Sequence, residues 1–416
     1  MKSALAPVAA LLIGVAILLT GQGLLGTLLP VRAGLEDFST LAIGIMGAVY
    51  FLGFTLGCVR GGELVKRVGH VRVFAAMTAL ASATPLVHGL IVDPWIWAIF
   101  RGVTGFCLAV LYVVIESWLN ERADNENRGI IFSTYVMITL TMMAAGQMMT
   151  LLYEPGDLQL FAVASVLVSL AAIPVALSTS PSPDPPQTAD VSLRQLFRIS
   201  RSGSIGCLAA GLANGSFWAL APVFTMAVSS DPTLAAWFMS SAVVGGALAQ
   251  WPLGHLSDAI GRRKVLMMAA GLSATLGVVT MMMADDAGFV GVNLLGAAWG
   301  FFAFPAYGLA VAHTNDFADA DEYVMVSSGL LLMYGGGAIA GPFLASALMT
   351  VAGGAAMYAF TAAVHLVLAL YVLNRILRRE SATAEHHMAF GDALASAHTA
   401  SQVYEEEMQH LAEEES

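Results

Sequence analysis

About a dozen apolar stretches, each long enough to cross a bilayer, divide this chain, and no soluble architecture accommodates them. They run approximately over 8–29, 41–60, 72–91, 94–119, 129–152, 158–178, 203–228, 233–254, 265–284, 288–312, 324–350 and 354–376. A helix needs roughly 20 apolar residues to traverse the hydrocarbon, and short polar breaks separate the runs. With 57% hydrophobic and 11% charged residues over 416 positions, most of the surface must face lipid. The runs are continuous and rich in Ala, Leu, Gly and Met. They lack the ten-residue alternation of a barrel strand, so the expected fold is all-α with twelve transmembrane helices. The first run follows only Lys2 and has no persuasive cleavage site, so it is expected to stay as a helix. Cys58, Cys107 and Cys207 all fall in apolar segments and are expected to act as small buried hydrophobes.

The 18 Lys and Arg residues test this segmentation, because basic loops stay on the cytoplasmic side. Lys2, Arg60, Lys66, Arg67, Arg72, Arg122, Arg128, Arg194, Arg198, Arg201, Arg262, Arg263, Lys264, Arg375, Arg378 and Arg379 fall on one side. Arg32 alone falls in an opposite-side loop, and Arg101 alone inside a span. A multi-pass inner-membrane protein with both termini cytoplasmic follows. The loop 313–323 belongs to the same side yet holds Asp316, Asp319, Asp321 and Glu322 without a base, and acidic residues carry little weight in this rule.

The chain repeats itself. Leu29–Val31 "LPV" recurs as Ala221–Val223 "APV", and Gly62-x-Leu64 through Gly69 recurs as Gly254-x-Leu256 through Gly261, both 192 residues on. Gly105 and Gly300, Tyr112 and Tyr307, and Gly146 and Gly341 agree at 195. Pro181, Pro183, Pro185 and Pro186 precede an amphipathic basic segment around Leu193–Arg201, as a linker between two bundles would. The expected organisation is a six-helix bundle over 1–178, a linker over 179–202, a second bundle over 203–379 and an acidic tail over 380–416. Parallel repeats of six place a cavity between the halves near the midplane. The tail carries nine acids, four histidines and no Lys or Arg, and without it the net charge falls from −11 to −2. Its acidity therefore says nothing about substrate. His386, His387, His398 and His410 match no closed metal-ligand spacing.

The segment "GHLSDAIGRRK", Gly254 to Lys264, is expected as the loop joining the eighth and ninth spans. Its glycines permit a tight turn, Asp258 can cap a helix or pair with a base, and Arg262, Arg263 and Lys264 suit anionic headgroups. It resembles the G-x-L-a-D-r-x-G-r-k-k signature of the major facilitator superfamily. The first-half counterpart "GELVKRVGHVR" keeps Gly62, Leu64, Arg67 and Gly69 but has Lys66 where the family has Asp. "RGVTGFCLAVLYVVIESWL", Asn127–Gly129 "NRG", Gly146-Gln147 and "AQWPLGHLSD" resemble the YcaD-like bacterial subgroup, over all twelve helices but not the tail. The resemblance implies a transporter with two pseudo-symmetric bundles, a cytoplasmic gate at these loops and no particular substrate. The fifth-helix G-x-x-x-G-P of drug–proton antiporters is replaced by Ala145-Gly146-Gln147, while Gly337-x-x-x-Gly341-Pro342 occurs in the eleventh helix.

Arg101 sits seven residues inside the fourth helix, where a charge costs at least roughly 2.5–3.5 kcal/mol. Either it faces the cavity, or it bonds backbone carbonyls at a kink or snorkels outward. Arg101-x-x-x-Gly105 resembles a superfamily motif whose Arg is tied to proton coupling or substrate anions. Glu116 is a proton carrier or a gate residue pairing with Lys66, Arg67 or Arg72. Gln22, Gln147, Asn214, Gln250, Asn293, Trp218, Tyr112 and Tyr307 are cavity candidates or helix-to-helix glue. Gln22 and Asn214 each stand eight residues before a proline, Pro30 and Pro222. The methionines, 21 in all, serve mostly as packing. Without a phosphate loop, nucleophile triad or metal cluster, neither an enzyme nor a cofactor is expected. The expected function is proton-coupled secondary transport of a small organic solute by a monomer in the lipid bilayer, export ahead of import, with no nucleic-acid partner. Metabolite or anion import, uniport, and a non-transporting membrane sensor or assembly factor are the alternatives.

Overall fold

A computed structural model describes residues 5, 8–123, 127–177, 192–319 and 322–378. The proline-rich stretch and the acidic tail lie outside them. Among the described residues twelve helices are long and apolar enough to cross a membrane. They are α1 (Ala9–Leu35), α2 (Thr40–Val68), α3 (His70–Leu90), α4 (Pro94–Arg122), α5 (Gly129–Leu151) and α6 (Gln159–Ala176) in the first half. The second half holds α7 (Arg201–Val228), α8 (Thr233–Ile260), α9 (Arg262–Met283), α10 (Gly288–Asn315), α11 (Tyr323–Ala352) and α12 (Ala356–Arg378). Pro305 interrupts α10 after Ala303, and a seven-residue helix, Leu193–Ile199, precedes α7.

Local chemistry fixes the helix starts. Ser39 accepts from the Ala42 amide at 3.2 Å, Asp93 from the Trp95 and Ile96 amides at 2.9 Å each, and Ser200 from the Gly203 amide at 3.1 Å. Several helices outrun the apolar stretches. α2 continues eight residues past 60, carrying Gly62, Lys66 and Arg67 on its last two turns. The segment expected as a loop at Gly254–Lys264 is helix on both sides of one residue, Gly261. Hydropathy marks where the bilayer ends, whereas the helix ends at a glycine. Gly69 (φ 91°) and Gly261 (φ 98°) adopt the left-handed conformation and bond back to Val65 O at 2.8 Å and Ser257 O at 3.1 Å.

Helix pairing repeats with a step of six. α1 packs on α5, α2 on α4 and α3 on α6; α7 packs on α11, α8 on α10 and α9 on α12. Between the halves α2 meets α11 and α5 meets α8, each pair being the other with its partners exchanged. That is the relation a two-fold axis imposes. An even number of spans starts α1 and α7 at the same end, so the axis runs along the membrane normal. The repeat reaches individual contacts. A methyl group on Gly53 would meet the Gly102 carbonyl oxygen as one on Gly245 meets that of Ala297; Gly105 faces the Tyr50 carbonyl as Gly300 faces that of Ala242. Glycine at these positions lets α2 and α8 approach α4 and α10 backbone to backbone.

Buried side chains form three cores. One runs through both halves at the end away from Gly69 and Gly261, joining Leu24, Met46 and Trp97 to Phe217, Phe238 and Trp299. At the basic end each half keeps its own, one around Phe74, Leu111 and Ile115 and the other around Leu266, Leu309 and Leu330. The halves are thus welded at one end and divided by a cleft at the other. Large apolar side chains such as Leu90, Ile99, Leu248 and Val290 stay exposed on the outer faces, as a lipid-facing surface requires.

Candidate functional site in the cleft between the halves

Helix α4 supplies the spine of the site. At about 100° per residue, the eleven steps from Arg101 bring Tyr112 back to within about 20°, and four more put Glu116 about 60° away. The three therefore share one stripe, with about 22 Å between its ends along the axis. Arg101 lies with its guanidinium carbon 4.2 Å from the centroid of the Tyr50 ring on α2, and has no carboxylate partner among the described residues. Tyr50 leads through Phe54 (6.3 Å between centroids) to Tyr112 (6.0 Å), an aromatic ladder between the guanidinium and the carboxylate. Glu116 stands beside a core that holds Leu111, Ile115 and the buried Tyr135 of α5.

The second half answers with Tyr307 of α10 and Tyr334 of α11, edge to face at 4.9 Å, and Asn214 of α7 is buried with its Oδ1 lacking a hydrogen-bond partner among the described residues. Tyr50, Arg101, Tyr112, Glu116, Tyr307 and Tyr334 all keep part of their surface accessible. A small pocket between α2 and α11 adjoins them, lined by Phe54, Thr55, Cys58, Leu331, Tyr334 and Gly335. The whole is an aromatic chamber with one acid, Glu116, and one base, Arg101.

Other expected site residues are engaged elsewhere. Gln147 lies on the α5–α8 seam and accepts from Ser240 Oγ at 3.1 Å, while Trp218 stacks parallel on Phe304 at 5.7 Å. Gln22 is 9% exposed with its Nε2 unpartnered, and no bond joins it to Arg101. Gln250 keeps an unpartnered Oε1, and Asn293 donates to the Phe289 carbonyl of its own helix at 2.8 Å.

At the basic end the halves differ. Arg262, sealed from solvent, donates through Nε to Asp316 at 2.7 Å and pairs with Asp258 at 3.4 Å. The first-half equivalents of Asp258, Arg262 and Asp316 are Lys66, His70 and Glu121. His70 is buried, with Nε2 3.0 Å from Ser117 Oγ. Gly62 and Gly254 are buried at the helix ends, whereas Arg67 is exposed. Tyr50, Tyr135, Tyr334 and Ser240 are site or seam residues that sequence reasoning did not single out. An aromatic or hydroxyl residue on an apolar helix has the same signature whether it packs or lines a cleft.

Known proteins share this architecture. The Major Facilitator Superfamily profile matches residues 11–204 and again 203–398, once per half. The uncharacterized MFS-type transporter YcaD of Escherichia fergusonii is 28% identical over 345 residues, covering 82% of this chain and 89% of that protein. An uncharacterized MFS-type transporter of Yersinia pestis is 28% identical over 353 residues, with the same coverage. Among solved structures, the nucleoside transporter NupG superposes with a TM-score of 0.73 at 13% identity, covering 90% of this chain and all of that one. A bacterial homologue of the human lysosomal transporter Spinster, solved inward-facing and occupied, gives 0.72 at 14% identity, covering 92% and 98%. With its profile matched in both halves and its twelve helices paired about a two-fold axis, the chain belongs to the Major Facilitator Superfamily of multi-pass membrane transporters.

Proposed function

We propose that the chain is a proton-coupled secondary transporter that moves a small organic solute by alternating access, the two halves rocking about the cleft. The basic end and both termini face the cytoplasm in this reading, which the distribution of Lys and Arg supports. The observation that carries the coupling is Glu116. Its carboxylate lies on the same stripe of α4 as Arg101 and Tyr112 and keeps part of its surface accessible there. A carboxylate so placed can cross as a neutral acid when the halves reorient and release its proton on the other face, while an ionised one would resist closure over it.

Arg101 supports a second reading, in which the solute is an organic anion. Its guanidinium rests on Tyr50 without an acid partner among the described residues, which leaves the planar fork for a carboxylate held by two parallel bonds. Both readings share one test. Purified protein is screened by thermal shift against nucleosides, carboxylates, amines, dyes and siderophores, since a ligand of the folded state raises its apparent stability. The strongest ligand is then followed into proteoliposomes under a pH gradient. Glu116→Gln is expected to keep ligand binding and solute exchange but to lose accumulation driven by the gradient. Accumulation equal to wild type would remove Glu116 from the coupling. Deleting 380–416 is expected to leave flux intact, and loss of flux would favour a signalling role for the tail.

A further inference from the structure

The hairpin of α3 and α4 holds a histidine whose two ring nitrogens make the same demand. Pro85 has no amide to give the Ala81 carbonyl, and the Thr84 hydroxyl donates there instead at 2.9 Å. His88 follows one turn on, 1% exposed, its ring against those of Trp97 (5.4 Å) and Phe100 (6.4 Å). Its Nδ1 lies 2.6 Å from the Thr84 carbonyl oxygen and its Nε2 3.4 Å from that of Trp97. Both partners can only accept. A neutral imidazole has one N–H, so it satisfies one carbonyl and turns a lone pair on the other, whereas an imidazolium satisfies both. The shorter contact gives the first proton to Nδ1. Nε2 is therefore the nitrogen left for a second.

The Trp97 carbonyl is also the one that accepts the Arg101 amide within α4, so Nε2 lies within about 6.5 Å of the Arg101 backbone. Other charges near the hairpin are exposed or engaged. Asp93 caps α4, Glu36 pairs with Arg32, and Asp37, Glu154 and Asp157 are exposed in loops that Phe38 and Leu158 bring against Trp97 and Gly89. Helix α6, packed on α3, carries no charge, and α2 carries none before Arg60. That leaves Arg101 as the charge of the same hairpin on the chamber side. Two cations so close repel each other, and an anion on Arg101 removes the repulsion. By reciprocity a proton on His88 then strengthens the hold on the anion. The pairing also conserves charge, because Arg101 alone and Arg101 with both an anion and a protonated His88 each carry one net positive charge.

We infer that Nε2 of His88 is a proton-binding site, and that an organic anion on Arg101 and a proton on His88 are taken up together, so that solute and proton cross as a neutral pair. It rests on the anion reading of Arg101 given above. Glu116 lies about 22 Å away along α4 and is a separate site. Trp97, whose carbonyl receives the second N–H, belongs to the core that welds the halves at the outer end. The proton is thus bound beside the contacts that must part for that end to open.

Solid-state NMR of the full chain in lipid bilayers, with nitrogen-15 in its histidines, reads both ring nitrogens directly, and a His88→Gln spectrum identifies the signals by subtraction. Near neutral pH the wild-type ring should carry its proton on Nδ1 with Nε2 bare. On acidification Nε2 should gain a proton while Nδ1 keeps its own. Arg101→Gln should raise the proton affinity of Nε2 about tenfold, a shift of about one pH unit, as expected of two charges about 10–12 Å apart at an effective dielectric constant of about 20. Arg101→Lys keeps the charge and should titrate as wild type. Benzoate, the carboxylate probe, should raise the affinity in wild type and not in Arg101→Gln. A neutral ring protonated on Nε2, an Nε2 still bare at about pH 4.5 in both wild type and Arg101→Gln, or equal midpoints in the two, would overturn the proton site. Should Arg101→Gln aggregate, Arg101→Met is used with the same shift expected, and the wild-type titration still decides which nitrogen takes the second proton. A shift with Arg101→Gln but none with benzoate would uphold the proton site and overturn the anion reading and the joint uptake built on it.

Discussion

Arg262 and Asp316 lie 54 residues apart in the chain and meet at 2.7 Å, their side chains 1% and 2% exposed, tying the start of α9 to the end of α10. Asp258, the other acid on Arg262, is 40% exposed. The two contacts therefore differ in consequence. Removing one partner of a buried pair strands the other charge at a cost of about 3–5 kcal/mol, whereas an exposed pair contributes about 0–1 kcal/mol. Asp316→Asn is expected to lower the apparent melting temperature in detergent steeply and Asp258→Asn hardly at all. Equal losses would show that the motif's acid, and not its buried partner, holds the second half together.

The repeat makes a paired prediction about packing. Gly53→Ala and Gly245→Ala each drive a methyl into a carbonyl of the facing helix, Gly102 in one half and Ala297 in the other. Both should destabilise, by about 1–3 kcal/mol of overpacking. Gly271, on α9 with nothing within 4 Å of an added methyl, is the control. Gly271→Ala should be neutral or gain up to about 1 kcal/mol from helix propensity. Thermal unfolding of the three variants decides it, and a mild Gly53→Ala beside a severe Gly245→Ala would show the halves packed less alike than their contacts.

Much of this architecture was legible because lipid leaves little freedom. Each span must satisfy its backbone internally, so helix number followed from apolar run length, and the basic residues sorted the loops. The glycines at 69, 105 and 146 repeated because close approach and left-handed caps tolerate little else. The chamber was legible only in part. Arg101, Glu116, Tyr112 and Tyr307 stood out through charge in a span or through the repeat. Tyr50, Tyr135 and Tyr334 did not, since nothing in an apolar helix tells a packed ring from one facing the cleft. Asp316 was visible as an acid, but its pairing with Arg262 needed the return of α10 to the same end.

Tyr358 offers a prediction with an unusual sign. Its ring is fully buried against Phe224 (4.9 Å) and Trp299 (5.8 Å), and its hydroxyl has no hydrogen-bond partner among the described residues. A buried hydroxyl without a partner opposes folding by about 1–3 kcal/mol. Tyr358→Phe keeps the ring and removes that penalty, so the melting temperature should hold or rise. Tyr358→Leu loses the aromatic contacts and should fall. A drop in the Phe variant would mean that the hydroxyl is bonded in the membrane-embedded protein.

Arg101 separates charge from geometry. Its guanidinium carbon lies 4.2 Å from the centroid of the Tyr50 ring, within cation–π range, and its donors form no ion pair among the described residues. Lysine keeps the charge, loses the planar fork and stacks less well on a ring. If the solute is an anion gripped by two parallel bonds, Arg101→Lys should abolish its thermal shift nearly as fully as Arg101→Ala. If the guanidinium serves only to balance charge in the chamber, the lysine variant should bind almost as wild type while the alanine variant does not. Tyr50→Phe keeps the ring under the guanidinium and should leave binding unchanged, whereas Tyr50→Leu removes the platform and should weaken it. A Leu variant that binds like wild type would dissociate the ladder from recognition and leave Arg101 to act alone.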